Sequence, residues 1–149
     1  MNTTPELLKD YVQAGVYAAT LAQQDQAKQS ALIAGFDCWQ MTLSATEPAS
    51  TLLRQVGQSL HFPEWYGENW DALADCLTDL SWSHAEGFVL LLRESSALHM
   101  AQPVLWQTLI ELLRDVSHFW RENQVAFWVL ADDIDLDIAQ LQDARQRIN

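Results

Sequence analysis

The sequence predicts an α/β fold: a small three-stranded parallel sheet packed with helices, plus an N-terminal helical extension. Residues 88–92 (FVLLL) and 125–130 (VAFWVL) are apolar runs without alternation, a pattern typical of strands buried on both faces. Apolar residues recur at helical spacing before and between these runs. Strands that alternate with helices favour parallel pairing through right-handed crossovers.

The N-terminal part is predicted to be helical. Thr4 precedes Pro5, and a hydroxyl followed by proline is a typical helix start. Apolar residues then recur at helical spacing, so we predict a helical extension over residues 1–29. We assign residues 30–149 to the main domain, which ends in an acidic C-terminal tail. Residues 30–35 (SALIAG) form a short apolar segment and are predicted to be its first strand.

Three further helices follow from the apolar spacing and the capping residues. They are predicted at residues 51–60, from Asn69 to about residue 80, and from Pro103 to about residue 120. A short helix is also predicted near residues 138–145 of the tail.

The charge balance limits the kinds of partner that the protein can bind. The 149 residues include 8 Lys and Arg against 20 Asp and Glu, a net charge of −12. This field repels phosphates and anionic membranes, so we expect no direct nucleic-acid or RNA binding and no membrane contact, and a basic partner instead. Cys38 and Cys76 lack metal-ligand spacing, and no secretory signal or membrane-spanning run is visible. We therefore expect a cytoplasmic protein without cofactor or metal.

The helix after Asn69 carries an acidic row. Asp71, Asp75 and Asp79 are spaced i, i+4, i+8, and no Lys or Arg lies within this helix. A solvated face is the simpler interpretation, but like charges at this spacing cost about 0.2–0.5 kcal/mol per pair. That cost favours a use for the row. If the partner is a ribonuclease, the carboxylates can replace phosphates among the cations of its active site, and Trp65 and Tyr66 could supply aromatic anchors.

The same residues carry a family resemblance. Residues 62–78 (FPEWYGENWDALADCLT) closely resemble the signature of the barstar family of ribonuclease inhibitors, and weaker similarity extends over roughly residues 30–132. The resemblance implies the barstar-like three-stranded parallel sheet covered by helices. It also implies an immunity or antitoxin role, in which the loop and acidic helix occlude the active site of a basic toxin or extracellular-type ribonuclease. The protein would then not be an enzyme.

Matching the motif position by position assigns the site. Trp65 stands where the family has an interface Tyr, and Asp75 would be the main phosphate surrogate. Ala74 replaces an aromatic, Asp79 and Leu80 replace a Gly-Trp pair, and His118 falls near a family Glu. The implied partner-binding set is Trp65, Tyr66, Gly67, Asn69, Asp71, Ala74, Asp75, Thr78, Asp79, Asp115 and His118. We expect a monomer, or weak self-association through the N-terminal helix.

Two other functions stay open at this point. The change at Ala74 is compatible with a barstar-like interaction module that has a non-nuclease partner. An enzyme could use Asp71 and Asp75 as a carboxylate pair with His61 or His84 as base, but no nucleophile, phosphate-loop or metal motif accompanies them.

A second acidic segment resembles a calcium loop in spacing only. Asp133, Asp135 and Asp137 alternate along the chain, but Ile138 and Ala144 stand where such a loop needs Gly and Glu. We therefore predict a solvated acidic turn, or a segment that adds to the negative field of the protein.

Overall fold

A computed structural model describes residues 3–133. The four strands form one parallel sheet in the order β1-β4-β3-β2. In chain order the elements are α1 (Pro5–Lys9), β1 (Val16–Ala18), α2 (Leu21–Ala34), β2 (Asp37–Thr42), α3 (Ala49–Ser59), α4 (Trp70–Asp79), β3 (Phe88–Arg93), α5 (Ser95–Ala101), α6 (Pro103–Glu122) and β4 (Phe127–Ala131).

The sheet has a fourth strand that the sequence analysis missed. The prediction of three strands is wrong, because β1 pairs with β4, with Val16 opposite Val129 and Ala18 opposite Ala131. The predicted N-terminal helix does begin after Thr4 with Pro5, but α1 ends at Lys9 and β1 separates it from α2. A segment of three residues is too short for alternation to be read from sequence. Pairing with a distant strand decides its conformation instead.

The first strand of the predicted set is also displaced. Residues 30–35 belong to the end of α2, which begins at a capping box between Thr20 and Gln23 and ends at Gly35 with φ +77°. The strand β2 follows at residues 37–42. The predicted boundary between residues 29 and 30 therefore falls inside α2.

The remaining predicted elements agree with the structure to within two or three residues. They are α3, α4, β3, α6 and β4, whereas the helix predicted near residues 138–145 lies outside the described residues. The helix α5 was not predicted. None of the helices in residues 3–133 is long and apolar enough to cross a membrane.

The strands β3 and β4 are buried on both faces, which confirms that prediction. Phe88, Leu90 and Leu92 belong to one core cluster, whereas Val89 and Leu91 belong to another. The first cluster lies under a four-helix layer (α3–α6), and the second under a two-helix layer (α1 and α2). The sheet thus lies between two helical layers, which explains the absence of alternation in its apolar runs.

The end of β4 is tied to α5 by two carboxylates. Asp132 accepts hydrogen bonds from the backbone N–H groups of Glu94 and Ser95. Asp133 is only 1% exposed, lies 2.6 Å from His99 Nδ1 and accepts a hydrogen bond from Ser96 Oγ. The predicted solvated turn is therefore wrong at Asp133, since a buried carboxylate needs such partners. The other two aspartates of that pattern lie outside the described residues.

Candidate functional site

The helix α4 is held rigidly by its cap and its buried face. Asn69 Oδ1 accepts a hydrogen bond of 2.8 Å from the Ala72 N–H, as predicted for a capping residue. Leu73 and Leu77 are buried in the core. The indole Nε1 of Trp120 in α6 donates to the Leu77 carbonyl at 2.7 Å, which fixes α4 to α6. These contacts fix the position of α4 and therefore of the side chains on its outer face.

The acidic row occupies that outer face. Asp71, Asp75 and Asp79 are all exposed. Among the described residues, no Lys, Arg or His comes within the 4.0 Å of an ion pair with any of the three. Burial, followed by the charges of Asp79 and Asp75, raises the pKa of the Cys76 thiol. The negative field of the row thus reaches the inner side of its own helix.

The loop before α4 is anchored by Tyr66. Its hydroxyl donates a 2.9 Å hydrogen bond to the Leu53 carbonyl of α3, and its ring covers Gly57 so closely that a Cβ there would lie 2.7 Å from Cδ2. Burial, together with the nearby charges of Cys76 and Glu68, raises the pKa of Tyr66 to about 12. Tyr66 therefore positions the loop through its contacts with α3. Tyr66 is half-buried, and its expected role as an aromatic anchor for a partner stays a prediction.

Two positive backbone angles give the loop its shape. His61 has φ +57° and Glu68 has φ +55°, in the left-handed region that non-glycine residues seldom adopt. Between them, the Tyr66 N–H donates to the Pro63 carbonyl at 3.0 Å. Asn69 Nδ2 then donates to the Gly67 carbonyl at 3.4 Å, so Gly67 and Asn69 do join the loop to α4.

The exposed aromatic of the site is Trp65. Its ring is 61% exposed and stands edge-on to Trp82, with the ring centroids 6.0 Å apart. Trp82 in turn stands edge-on to Phe62 at 6.0 Å. Sequence reasoning missed Trp82, although a tryptophan directly after the acidic helix was a usable signal. These rings stiffen Trp65 at the edge of the acidic row.

The C-terminal half of α4 contains four of the assigned residues, Ala74, Asp75, Thr78 and Asp79. Thr78 Oγ1 donates to the Ala74 carbonyl at 2.8 Å, and both side chains are half-buried. Asp79 is the last residue of the helix. Leu80 follows in the left-handed conformation with φ +48° and is buried, so it closes the helix where glycine is usual.

Two of the predicted residues lie on α6, whereas the others lie on α4 and the loop before it. Asp115 and His118 are exposed on α6, where His118 Nε2 lies 3.6 Å from Glu122 Oε1. Trp120, the α6 residue that contacts α4, is about 160° around the helix from His118 at 3.6 residues per turn. Within residues 3–133 no ion pair joins Asp115 or His118 to α4, and their part in partner binding stays a prediction.

The histidines invoked for an enzyme are not paired with the acidic row. His61 and His84 are exposed, and within the described residues neither forms an ion pair with Asp71 or Asp75. Residues 3–133 contain no group of three or more His, Cys, Asp or Glu placed to hold a metal ion.

Fold and surface together define a class of protein: an acidic α/β domain with a row of exposed carboxylates and an exposed aromatic side chain beside one helix. The family model described as Barstar (barnase inhibitor) matches residues 36–132, more than half of the chain. The chain belongs to the barstar family. The match begins after α2, so α1, β1 and α2 lie outside it. A comparison with curated proteins gave no match.

Proposed function

We propose that this protein inhibits a ribonuclease with a basic active site by covering that site with α4 and the loop of residues 61–69. The observation that carries the proposal is the row of Asp71, Asp75 and Asp79. All three carboxylates are exposed, and no described cation pairs with them. Cations that bind phosphate in a nuclease active site also bind carboxylates well, through charge-assisted hydrogen bonds.

The spacing of the row gives each carboxylate a separate role. Four residues of α-helix advance about 6 Å, so Asp75 is flanked by one carboxylate on each side along the helix. We assign Asp75 as the main phosphate surrogate and Asp71 and Asp79 as contacts to neighbouring cations. Trp65 supplies the exposed apolar contact, of the kind that dominates interface energies. We expect little from Asp115 and His118.

The net charge supports association with a basic toxin or extracellular-type ribonuclease, as an antitoxin requires. A charge of −12 steers a basic protein towards the inhibitor and raises the association rate. Because salt screens this attraction, the association rate is expected to fall as ionic strength rises.

The proposal is tested by titrating a purified barnase-type ribonuclease with the protein and measuring RNA cleavage. Stoichiometric loss of activity is expected. Asp75→Asn should weaken binding by about 2–5 kcal/mol, because the nuclease cations that it neutralised are left buried and unpaired.

The matched control is Glu6→Gln, which removes the same charge from α1 in the other layer. This variant should bind within about threefold of the wild type, since only long-range attraction changes. Equal binding by wild type and Asp75→Asn would contradict the active-site plug. Full ribonuclease activity in excess protein would instead favour the non-nuclease partner.

A further inference from the structure

The outer face of α2 is apolar at its two ends and carries no net charge, unlike the acidic chain as a whole. Leu32 and Ile33 are 83% and 74% exposed there. The charged residues of α2 are Asp25 and Lys28, and Asp25 pairs with Arg93 at 2.8 Å. Two copies of a protein with a net charge of −12 repel each other, so they approach most easily through a face of this kind.

The residues of this face are arranged symmetrically along the helix. Leu21 and Ala22 are exposed in the first turn, and Leu32 and Ile33 in the last. The middle is polar, with Asp25, Gln26, Lys28 and Gln29 exposed. A twofold contact requires a surface that is complementary to itself. When two such helices pack antiparallel, the apolar end of each meets the apolar end of the other and the polar middles face each other.

We propose that the outer face of α2 binds a second copy of the chain in an antiparallel, twofold contact. The helix has 14 residues and is about 21 Å long. Its face is smaller than the roughly 800 Å² per partner of a standard interface. We therefore expect a weak dimer that forms only at high protein concentration.

This contact leaves the acidic row free. The two-helix layer and the four-helix layer cover opposite faces of the sheet. A dimer through α2 therefore presents α4 of each copy to solvent, and one dimer offers two separate acidic rows. The proposal goes beyond ribonuclease inhibition, and its test needs no nuclease.

Sedimentation velocity tests the proposal over protein concentrations from about 10 µM to about 1 mM. The weight-average mass of the wild type is expected to rise from the monomer value of 16.9 kDa towards twice that value. The double variant Leu32→Glu/Ile33→Glu should remain monomeric throughout, because it places four carboxylates in the dimer contact. Leu32→Gln/Ile33→Gln, which adds no charge, should also weaken the association.

The matched control is Met100→Glu/Val104→Glu, with circular dichroism to verify folding. These residues of α5 and α6 are 83% and 79% exposed, so the change adds the same two charges to equally exposed apolar positions in the other layer. The control should still dimerise. A wild type that stays at 16.9 kDa at the highest concentration overturns the proposal, and so does a control that loses association as fully as the α2 variants.

Discussion

The two helical layers cover the same sheet but are built from different side chains. The two-helix layer packs through small residues, with Ala27, Ala31 and Ala34 buried on α2. The four-helix layer packs through large ones, such as Trp106 and the leucines of α6. Its outer surface carries the acidic row, which has no ion-pair partner among residues 3–133, whereas the outer face of α2 has no net charge. Both layers thus cover a buried face of the sheet, but their solvent-exposed surfaces differ in charge. The proposed inhibitory function depends on the surface of the four-helix layer.

The largest expected effect tests whether the two-helix layer is essential to the fold. Trp128 of β4 is fully buried beneath it, donates from Nε1 to the Leu8 carbonyl at 2.9 Å and lies 5.6 Å from the Tyr17 ring. Trp128→Ala should lower the free energy of unfolding by about 3–5 kcal/mol, because it leaves a large cavity. Equilibrium unfolding in urea measures this change.

Trp65→Ala provides the opposite case in the four-helix layer. Trp65 is largely exposed, so its removal should change the free energy of unfolding by less than about 0.5 kcal/mol and should weaken ribonuclease binding. If Trp128→Ala unfolded at the urea concentration of the wild type, the two-helix layer would contribute little to stability.

A smaller effect is expected from enlarging the contact between α2 and the sheet. Ala31 is fully buried, so Ala31→Leu should destabilise the protein by about 1–3 kcal/mol through overpacking. The same substitution at exposed Ala22 is the control and should cost less than about 0.5 kcal/mol. Thermal unfolding of both variants checks the difference. Equal melting temperatures would show that α2 does not approach the sheet through its small residues.

A loss of stability smaller than that of Trp128→Ala is expected at Tyr66, in the loop before α4. Its pKa is raised from 10.0 to about 12, mainly by burial. Between these values the folded state keeps a proton that the unfolded state releases, so the contribution of Tyr66 is complete below pH 10 and is lost as pH rises through 12. Tyr66→Phe removes the hydrogen bond to Leu53 and should cost about 1 kcal/mol at neutral pH.

The deficit of Tyr66→Phe relative to the wild type should shrink as the pH approaches 12. Urea unfolding of both proteins at about pH 8 and about pH 11.5 measures it. A deficit that stays constant between these pH values would contradict the assigned role of the hydroxyl proton.

The large apolar residues of the four-helix layer made most of its helices readable from sequence. The stripe on α6 and the unbroken runs of β3 and β4 gave the correct elements, and Asn69 marked the start of α4. The α2 helix buries mainly alanine, whose weak apolar contrast hides the helical period. The strand β1 has three residues and depends on a partner strand far along the chain. Neither the alanine-rich face of α2 nor the short strand β1 therefore produces a hydrophobic pattern that can be recognised in the local sequence.

The candidate site was predictable to a similar extent. The motif located Asp71, Asp75 and Trp65, which are all exposed as an interface requires. The role of Tyr66 depends on contacts with Leu53 and Gly57 of α3, which sequence alone does not provide. Asp133 was misread because its partners, Ser96 and His99, lie more than thirty residues earlier in the chain.

The position of β1 beside β4 also has a consequence for synthesis on the ribosome. Its partner residues, Val129 to Ala131, are made more than one hundred residues after it. During translation β1 therefore has no neighbouring strand until β4 is made. By that time α4 and its acidic row have already been synthesised. Contacts between such distant segments slow folding. The β1–β4 pair can form only after residue 131 has been made, so a ribosome that stalls before this residue holds a chain whose first strand has no partner.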